Sequence, residues 1–288
     1  QRQMCIRDSY QGEDIKDLAK EYADLNGDSL VNVSAEERKK ALVDYALPKN
    51  IKKMQADMEK YKIFYDKWFF ESELHKSGAV KAVVDLLTKK GLTYEKDGAV
   101  WYKNKEVLTQ KLLKEGKSQK YIDNLELKDD VLIRQNGNPT YFTADIAYHK
   151  NKFDRGFTTL IDVWGADHHG HVMRMKGAMD AIGYDGDKLN VVLMQLVKLV
   201  KDGELVKMSK RTGKAIQLGD LLDEVPVDSA RFLFNTKEAN TQMDFDLDLA
   251  VSQDNQNPVY YVQYAHARIC SIFCLLYTSD AADEARSV

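Results

Sequence analysis

Cysteine is scarce in this chain, neither sign of charge dominates, and no apolar run is long. Of 288 residues only Cys5, Cys270 and Cys274 are cysteines, and none forms a metal-type cluster with histidine. That excludes a disulfide framework and points to a reducing compartment. No segment reaches the roughly 20 consecutive apolar residues that a membrane-spanning helix needs. No secretory signal is recognisable either. The cytoplasm is therefore the expected location, with no membrane partner. The formal net charge is only -3, so any nucleic-acid contact has to come from a local patch. What remains is an ordinary globular composition, 44% hydrophobic and 30% charged. The length suits one large domain or two modest ones.

The two ends read differently from the rest. Residues 1–9 (QRQMCIRDS) show no apolar period, and 275–288 (LLYTSDAADEARSV) interrupt a helical pattern. Both are expected to be non-native tails resembling translated adapter sequence, and the fold is read from the residues between them.

Between those ends, helical spacing covers Ile15 to Tyr22 and stops at Asn26-Gly27. Ser34 with Glu37 three residues on has capping-box spacing, which predicts a helix to about Leu47, interrupted at Pro48. A charged helical stretch follows to about Tyr61. The aromatic segment Phe64 to Phe70 suits a strand, and Gly78 to Lys89 suits a helix. Leu92 to Lys96 and Ala99 to Lys103 flank Asp97-Gly98, a hairpin signal. Val131 to Arg134 and Thr140 to Thr143 flank Asn136 to Pro139, a second hairpin candidate, before helical Ile146 to Phe153. Then Leu160 to Trp164, helical Met173 to Ile182 and the apolar run Val191 to Val200 predict a βαβ unit with buried strands. Asp202-Gly203 turns the chain into a basic loop. Short helices are expected over Leu218 to Val225 and Asp228 to Asn235, and a longer one from Pro258, a favoured first helical position.

Three strings carry chemistry. The sharpest is Lys207-Met208-Ser209-Lys210-Arg211, followed by Thr212-Gly213. It resembles the KMSKS loop of class I aminoacyl-tRNA synthetases. Activating an amino acid with ATP expels pyrophosphate, and two ammonium groups on a closing loop can meet its growing charge. Lys207 and Lys210 are the candidate catalytic residues, and Gly213 is a candidate hinge. A solvated basic turn is the bland alternative.

The second string is Gly165-Ala166-Asp167-His168-His169-Gly170, directly after a strand. Ligands of open α/β sheets bind outside the carboxyl ends of strands, and a glycine there allows a nucleotide close to the backbone. The helix that follows would aim its N-terminus at the ligand. His168, His169 and His171 also raise a metal site. Adjacent histidines tend to point apart, however, and no cysteine or nearby glutamate completes a ligand set, so no metal is expected.

The third string is Tyr141 to Tyr148 (YFTADIAY), at a strand-to-helix junction. Asp145 could meet a guanidinium as a planar carboxylate, with Tyr141 offering its hydroxyl or ring. Asp145 could equally be a helix N-cap, and the residues alone favour the cap.

Taken together and in this order, the three strings resemble arginyl-tRNA synthetases, with Tyr10 to Glu13 and Asn257 to Arg268 extending the likeness through most of 10–273. The resemblance implies an α/β fold. It would comprise a partial Rossmann-type catalytic domain over 10–250, with an α+β insertion at about 64–140. The start of an all-α anticodon-binding domain would occupy 251–274. It further implies that Tyr141, Asp145 and Asp167 contact L-arginine. Gly165, His168, Met208, Ser209 and Arg211 would line the ATP site, with Mg²⁺ accompanying ATP. Tyr264 and Arg268 would face tRNA(Arg), although packing within the bundle is at least as good a reading for them. The implied activity is ATP-dependent ligation of arginine to its tRNA, in a full-length form expected to be a monomer.

Two departures qualify this. No HIGH-like string occurs, and nearly all of the anticodon-binding domain is absent. The chain by itself is expected to be inactive and poorly soluble, because half a Rossmann sheet exposes apolar faces and strand edges. The rival reading is a non-catalytic tRNA- or nucleotide-binding module derived from a synthetase. A nucleotidylyltransferase of the same superfamily should lack the helix after Asn257.

Overall fold

A computed structural model describes residues 13–206 and 217–286, with side chains over 14–206 and 217–277. The chain divides into two units. The first is built from Asp66–Leu196 with Ala239–Gln242, and the second from Gln1–Tyr65, Val197–Glu238 and Met243–Val288.

In the first unit, helices α3 (Glu71–Lys76) and α4 (Ala79–Lys89) precede the hairpin of β1 (Thr93–Lys96) and β2 (Ala99–Tyr102). Asp97 and Gly98 both take positive φ, 52° and 71°, which matches the twist of a two-residue hairpin turn. Helices α5 (Asn104–Lys114) and α6 (Gln119–Asn124) lead to β3 (Asp130–Ile133), which completes an antiparallel sheet ordered β1-β2-β3. The turn after β3 closes through Arg134 N–H to Asn138 O at 2.9 Å. The expected second hairpin ends there. Beyond an isolated bridge between Ile133 and Pro139, the chain enters helix α7 (Tyr141–Asp154) instead of a strand.

Next, β4 (Leu160–Gly165) pairs in parallel with β5 (Leu189–Met194), joined through helix α8 (His169–Ile182). This is the βαβ unit that the sequence predicts. Its core joins Val83 and Leu87 of α4, Tyr102 of β2, Leu132 of β3, Ile146 of α7, Leu160 of β4, Met175 and Met179 of α8, and Leu189 of β5. The strands are covered on one side only: Leu160 and Asp162 are buried, whereas Ile161 and Val163 are 69% and 64% exposed.

Two expectations fail in this unit. Phe64 to Phe70 is not a strand. It has no partner strand, and Phe69 instead stacks on Tyr148 with centroids 4.7 Å apart. The apolar run Val191 to Val200 is not one strand. It breaks at Gln195, whose N–H bonds Ala239 O at 2.9 Å, and the chain then joins a different sheet as β6 (Val197–Lys201).

In the second unit, helices α1 (Glu13–Asn26) and α2 (Ala35–Lys60) are linked by a loop whose carbonyls are gathered by one guanidinium. Arg38 donates to Leu30 O at 2.9 Å, Val31 O at 3.1 Å and Val33 O at 3.2 Å. Ser34 and Glu37 form the reciprocal capping box. The helix continues through Pro48, where the sequence predicts a break. It is held on both sides of the proline. Tyr45 packs edge-on against Tyr22 and Lys49 pairs with Glu21, while Lys53 reaches Gln217 at 2.5 Å.

Strand β6 pairs with β7 (Glu204–Leu205) across the Asp202-Gly203 turn and in parallel with β8 (Met243–Asp246). Helices α9 (Leu218–Glu224) and α10 (Val227–Phe234) supply Leu221, Leu222 and Leu233 to a core with Leu199 and Phe245. After α11 (Leu247–Val251), fully buried Asn257 donates to Ser252 O at 3.1 Å and to Ser229 Oγ and Ala250 O at 3.3 Å. It also accepts the Val259 N–H. Helix α12 (Pro258–Arg286) starts from this bracket, with proline at its first position. It runs past residue 274; Val259 is buried, whereas Val262, Ala265, Ile269 and Ile272 are exposed.

Candidate active site

The junction of β3 and α7 is fastened by two hydroxyls. Thr140 Oγ1 donates to Val131 O and Thr143 Oγ1 to Leu132 O, each at 2.7 Å. The helix start is thereby fixed to the strand, and the N-cap position falls on Thr140. Asp145 lies a full turn inside the helix, which corrects the capping role that the residues alone favour. Its carboxylate is free of the backbone ends and half exposed at 44%.

A cavity of about 280 Å³ opens beside it, lined by Phe69, Glu71, Leu74, Ala144, Asp145 and Tyr148. Two carboxylates and a stacked aromatic pair therefore share one small space. Glu71 is a residue the sequence reading missed, because it follows the aromatic run assigned as a strand. Burial pushes the Tyr148 hydroxyl above its usual range, with the Asp162 charge adding to the shift, so that wall stays neutral. Tyr141 sits one turn before Asp145 and is 79% exposed.

Asp145 Oδ2 accepts from His171 Nε2 at 3.2 Å. His171 belongs to α8, and its ring packs near Phe142 (5.6 Å, edge-on) and Trp164 (5.3 Å). Arg174, one turn further on, lies 4.9 Å over Phe142 and makes a two-pronged contact with Asp130. Burial keeps the Asp130 carboxyl above the usual carboxylate range despite that arginine.

Gly165 ends β4, and Ala166–His168 form a single 3-10 turn before α8. Gly165 has φ of -65°, open to any residue, so its smallness matters only for space. A Cβ there would lie 2.5 Å from Asp167 Oδ1. The Asp167 side chain is 83% exposed and lies 3.8 Å from His168 Nε2. The two candidate aspartates thus have different histidine partners. His168 occupies the N-cap position of α8 without a side-chain cap bond. Among the described residues, no group of three or more His, Cys, Asp or Glu side chains could hold a metal ion.

Buried His149 donates from Nε2 to Asp162 beneath this site, and its Nδ1 lies 2.7 Å from Asp145 O. Lys152 completes the cluster, 2.6 Å from Asp162 Oδ1. This ties α7 to β4 through a charged pair that the sequence reading did not single out. Lys207, Met208, Ser209, Lys210 and Arg211 lie outside the described residues. Tyr264 and Arg268 are on the exposed surface of α12, and Arg268 donates to the Tyr264 hydroxyl at 2.9 Å.

Residues 11–270 match the family described as tRNA synthetases class I (R), catalytic domain. The chain belongs to this arginine-type class I synthetase family. It is 53% identical over 270 residues to an arginine–tRNA ligase of Ruminiclostridium cellulolyticum, covering 93% of this chain and 45% of that protein. It is 56% identical over 264 residues to the same-named protein of Caldanaerobacter subterraneus, covering 91% and 44%. The chain thus spans less than half the length of these curated relatives. Among solved structures, an arginyl tRNA synthetase from Campylobacter jejuni superposes with TM-score 0.75 at 37% identity, covering 92% of this chain and 54% of that one. Thermus thermophilus arginyl-tRNA synthetase gives 0.64 at 19% identity over 84% and 48%, a likeness of fold. The fold is mixed α/β, a partial Rossmann-type domain. No helix among the described residues is long and apolar enough to cross a membrane.

Proposed function

We propose that the full-length protein carrying this chain joins L-arginine to tRNA(Arg) through arginyl-adenylate. The observation that carries this reading is the small cavity in which the Asp145 and Glu71 carboxylates and the Tyr148 ring are gathered. A guanidinium suits such a space, since it offers several fixed N–H donors and a flat face. Tyr141, at the start of α7, and Asp167, after β4, do not line that cavity and are proposed to meet the substrate from outside it. Gly165 and His168 lie at the carboxyl end of a parallel strand, where nucleotides bind in open α/β sheets.

In this scheme the arginine carboxylate oxygen attacks the α-phosphorus of ATP. The bond to the β-phosphate bridging oxygen breaks, and pyrophosphate leaves with the electron pair. A tRNA terminal ribose hydroxyl then attacks the activated acyl carbon, AMP departs, and the hydroxyl proton is lost to solvent. Lys207 and Lys210 neutralise the departing diphosphate, with Met208, Ser209 and Arg211 completing the ATP loop. Positioning and charge stabilisation supply most of the rate. Mg²⁺ enters as the counter-ion of ATP. Such an ion is ordinarily held by the substrate phosphates with one or two carboxylates and waters. Tyr264 and Arg268 are proposed to face tRNA, and the reaction belongs in the cytoplasm with its substrates.

The test is arginine-dependent pyrophosphate exchange by the full-length protein with tRNA present. Lys210→Ala should lower it by roughly 100-fold or more, the loss typical of one transition-state donor. Full exchange in that variant, or exchange that ignores arginine, would remove the proposal.

A further inference from the structure

His171 is named by neither the ATP nor the arginine role, yet it meets the Asp145 carboxylate directly. Its Nε2 meets Asp145 Oδ2 at 3.2 Å. Its side chain is only 18% exposed. The ring is set between Phe142 of α7 and Trp164 of β4. An imidazole confined on two sides has little rotational freedom, so the direction of its N–H is fixed by packing and not by the carboxylate it serves.

The carboxylate, by contrast, is half exposed and sits on a helix face. Asp145 Oδ1 has no hydrogen-bond partner among the described residues. An aspartate side chain with one oxygen anchored and one open presents a single, fixed acceptor. Without the anchor it would sample several rotamers and lose orientation on each binding event.

We propose that His171 is a positioning residue that holds Asp145 with Oδ1 turned to the arginine guanidinium. The proposal rests on the reading of Asp145 as the guanidinium partner. His171 touches no substrate in this scheme. Its effect is on how well arginine is bound and not on the expulsion of pyrophosphate.

The experiment is steady-state pyrophosphate exchange by the full-length protein with tRNA, comparing wild type, His171→Phe, His171→Gln and Asp145→Asn. Phenylalanine keeps the ring between Phe142 and Trp164 but cannot donate. The expected result is an arginine KM about tenfold higher in H171F, the scale of losing one hydrogen bond to a charged group. Its kcat and its KM for ATP should stay within about twofold. H171Q keeps an N–H donor at similar reach and should recover most of the loss. In the D145N background, H171F should add nothing further.

An unchanged arginine KM in H171F overturns the proposal. So does an equal rise in the KM for ATP, which marks a general structural role, and so does failure of glutamine to rescue. Should H171F not fold, His171→Ala with added imidazole replaces it. Recovery of arginine KM by imidazole is then expected, and no recovery overturns the proposal. D145N separates the two levels. If D145N itself leaves arginine KM unchanged, the guanidinium reading fails. If D145N raises it and H171F does not, only the role of His171 fails.

Discussion

Asp162 sits between two hydrogen-bonding partners on the same helix, accepting from His149 Nε2 and from Lys152 Nζ. Burial pushes its carboxyl up, but the bonds and charges of His149 and Lys152 outweigh that and hold it below the ordinary carboxylate range. A carboxyl depressed in the folded state stabilises the fold above its unfolded pKa of about 4. That contribution disappears as pH falls through the lower, folded value. Stability to urea should therefore drop below about pH 4 with a component that Asp162→Asn abolishes. At neutral pH the same variant strands Lys152 and His149 and should cost about 3 kcal/mol. A D162N urea midpoint equal to wild type at pH 7 would contradict this.

Gly186 faces the carbonyl of Lys176 so closely that a Cβ would lie 2.3 Å from that oxygen and 2.9 Å from its carbon. Neither atom is a side-chain end that can swing away. Gly186→Ala should thus destabilise by about 1–3 kcal/mol, the usual penalty for overpacking. Urea unfolding followed by circular dichroism measures it.

Gly165→Ala should behave in the opposite way. Its Cβ meets the end of the exposed Asp167 side chain, which can turn into solvent. Stability should change by no more than about 0.5 kcal/mol. If Asp167 contacts arginine, the arginine KM of the full-length protein should rise about tenfold, as for a lost charged hydrogen bond. A normal KM with a lowered melting temperature would reverse this assignment.

Ser34 supplies one half of the cap on α2. Ser34→Ala should cost about 1 kcal/mol, and Ser34→Gly only a few tenths. A thermal melt comparing the two is the check, and equal losses would speak against the cap.

The elements that local chemistry determines are legible in the sequence. Asp97-Gly98 specifies its turn through positive φ, Ser34 with Glu37 specifies a cap, and Pro258 opens a helix. The elements that depend on distant partners are not. Pro48 is carried inside a helix because contacts on both sides hold it. Phe69 spends its aromatic surface on Tyr148, and Gln195 breaks an apolar run by bonding Ala239. The site divides the same way. Asp145 and Gly165 stand out by motif, and the helix interior, not a cap, is where Asp145 falls. Glu71 and His171 enter only through the approach of α3 and α8 to α7, at sequence separations of 74 and 26 from Asp145, which no local pattern encodes.

Helix α12 has 29 residues, which at 1.5 Å per residue makes a rod about 43 Å long. Its deep attachment is Asn257 and Val259 at one end. A rod gripped at its root amplifies angle into distance: tilting it by about 5° sweeps the far tip through about 4 Å, given that rise per residue. The four hydrogen bonds of one asparagine side chain, with the Gln263 amide on Asp228 at 3.4 Å, therefore set the bearing of the helix tip.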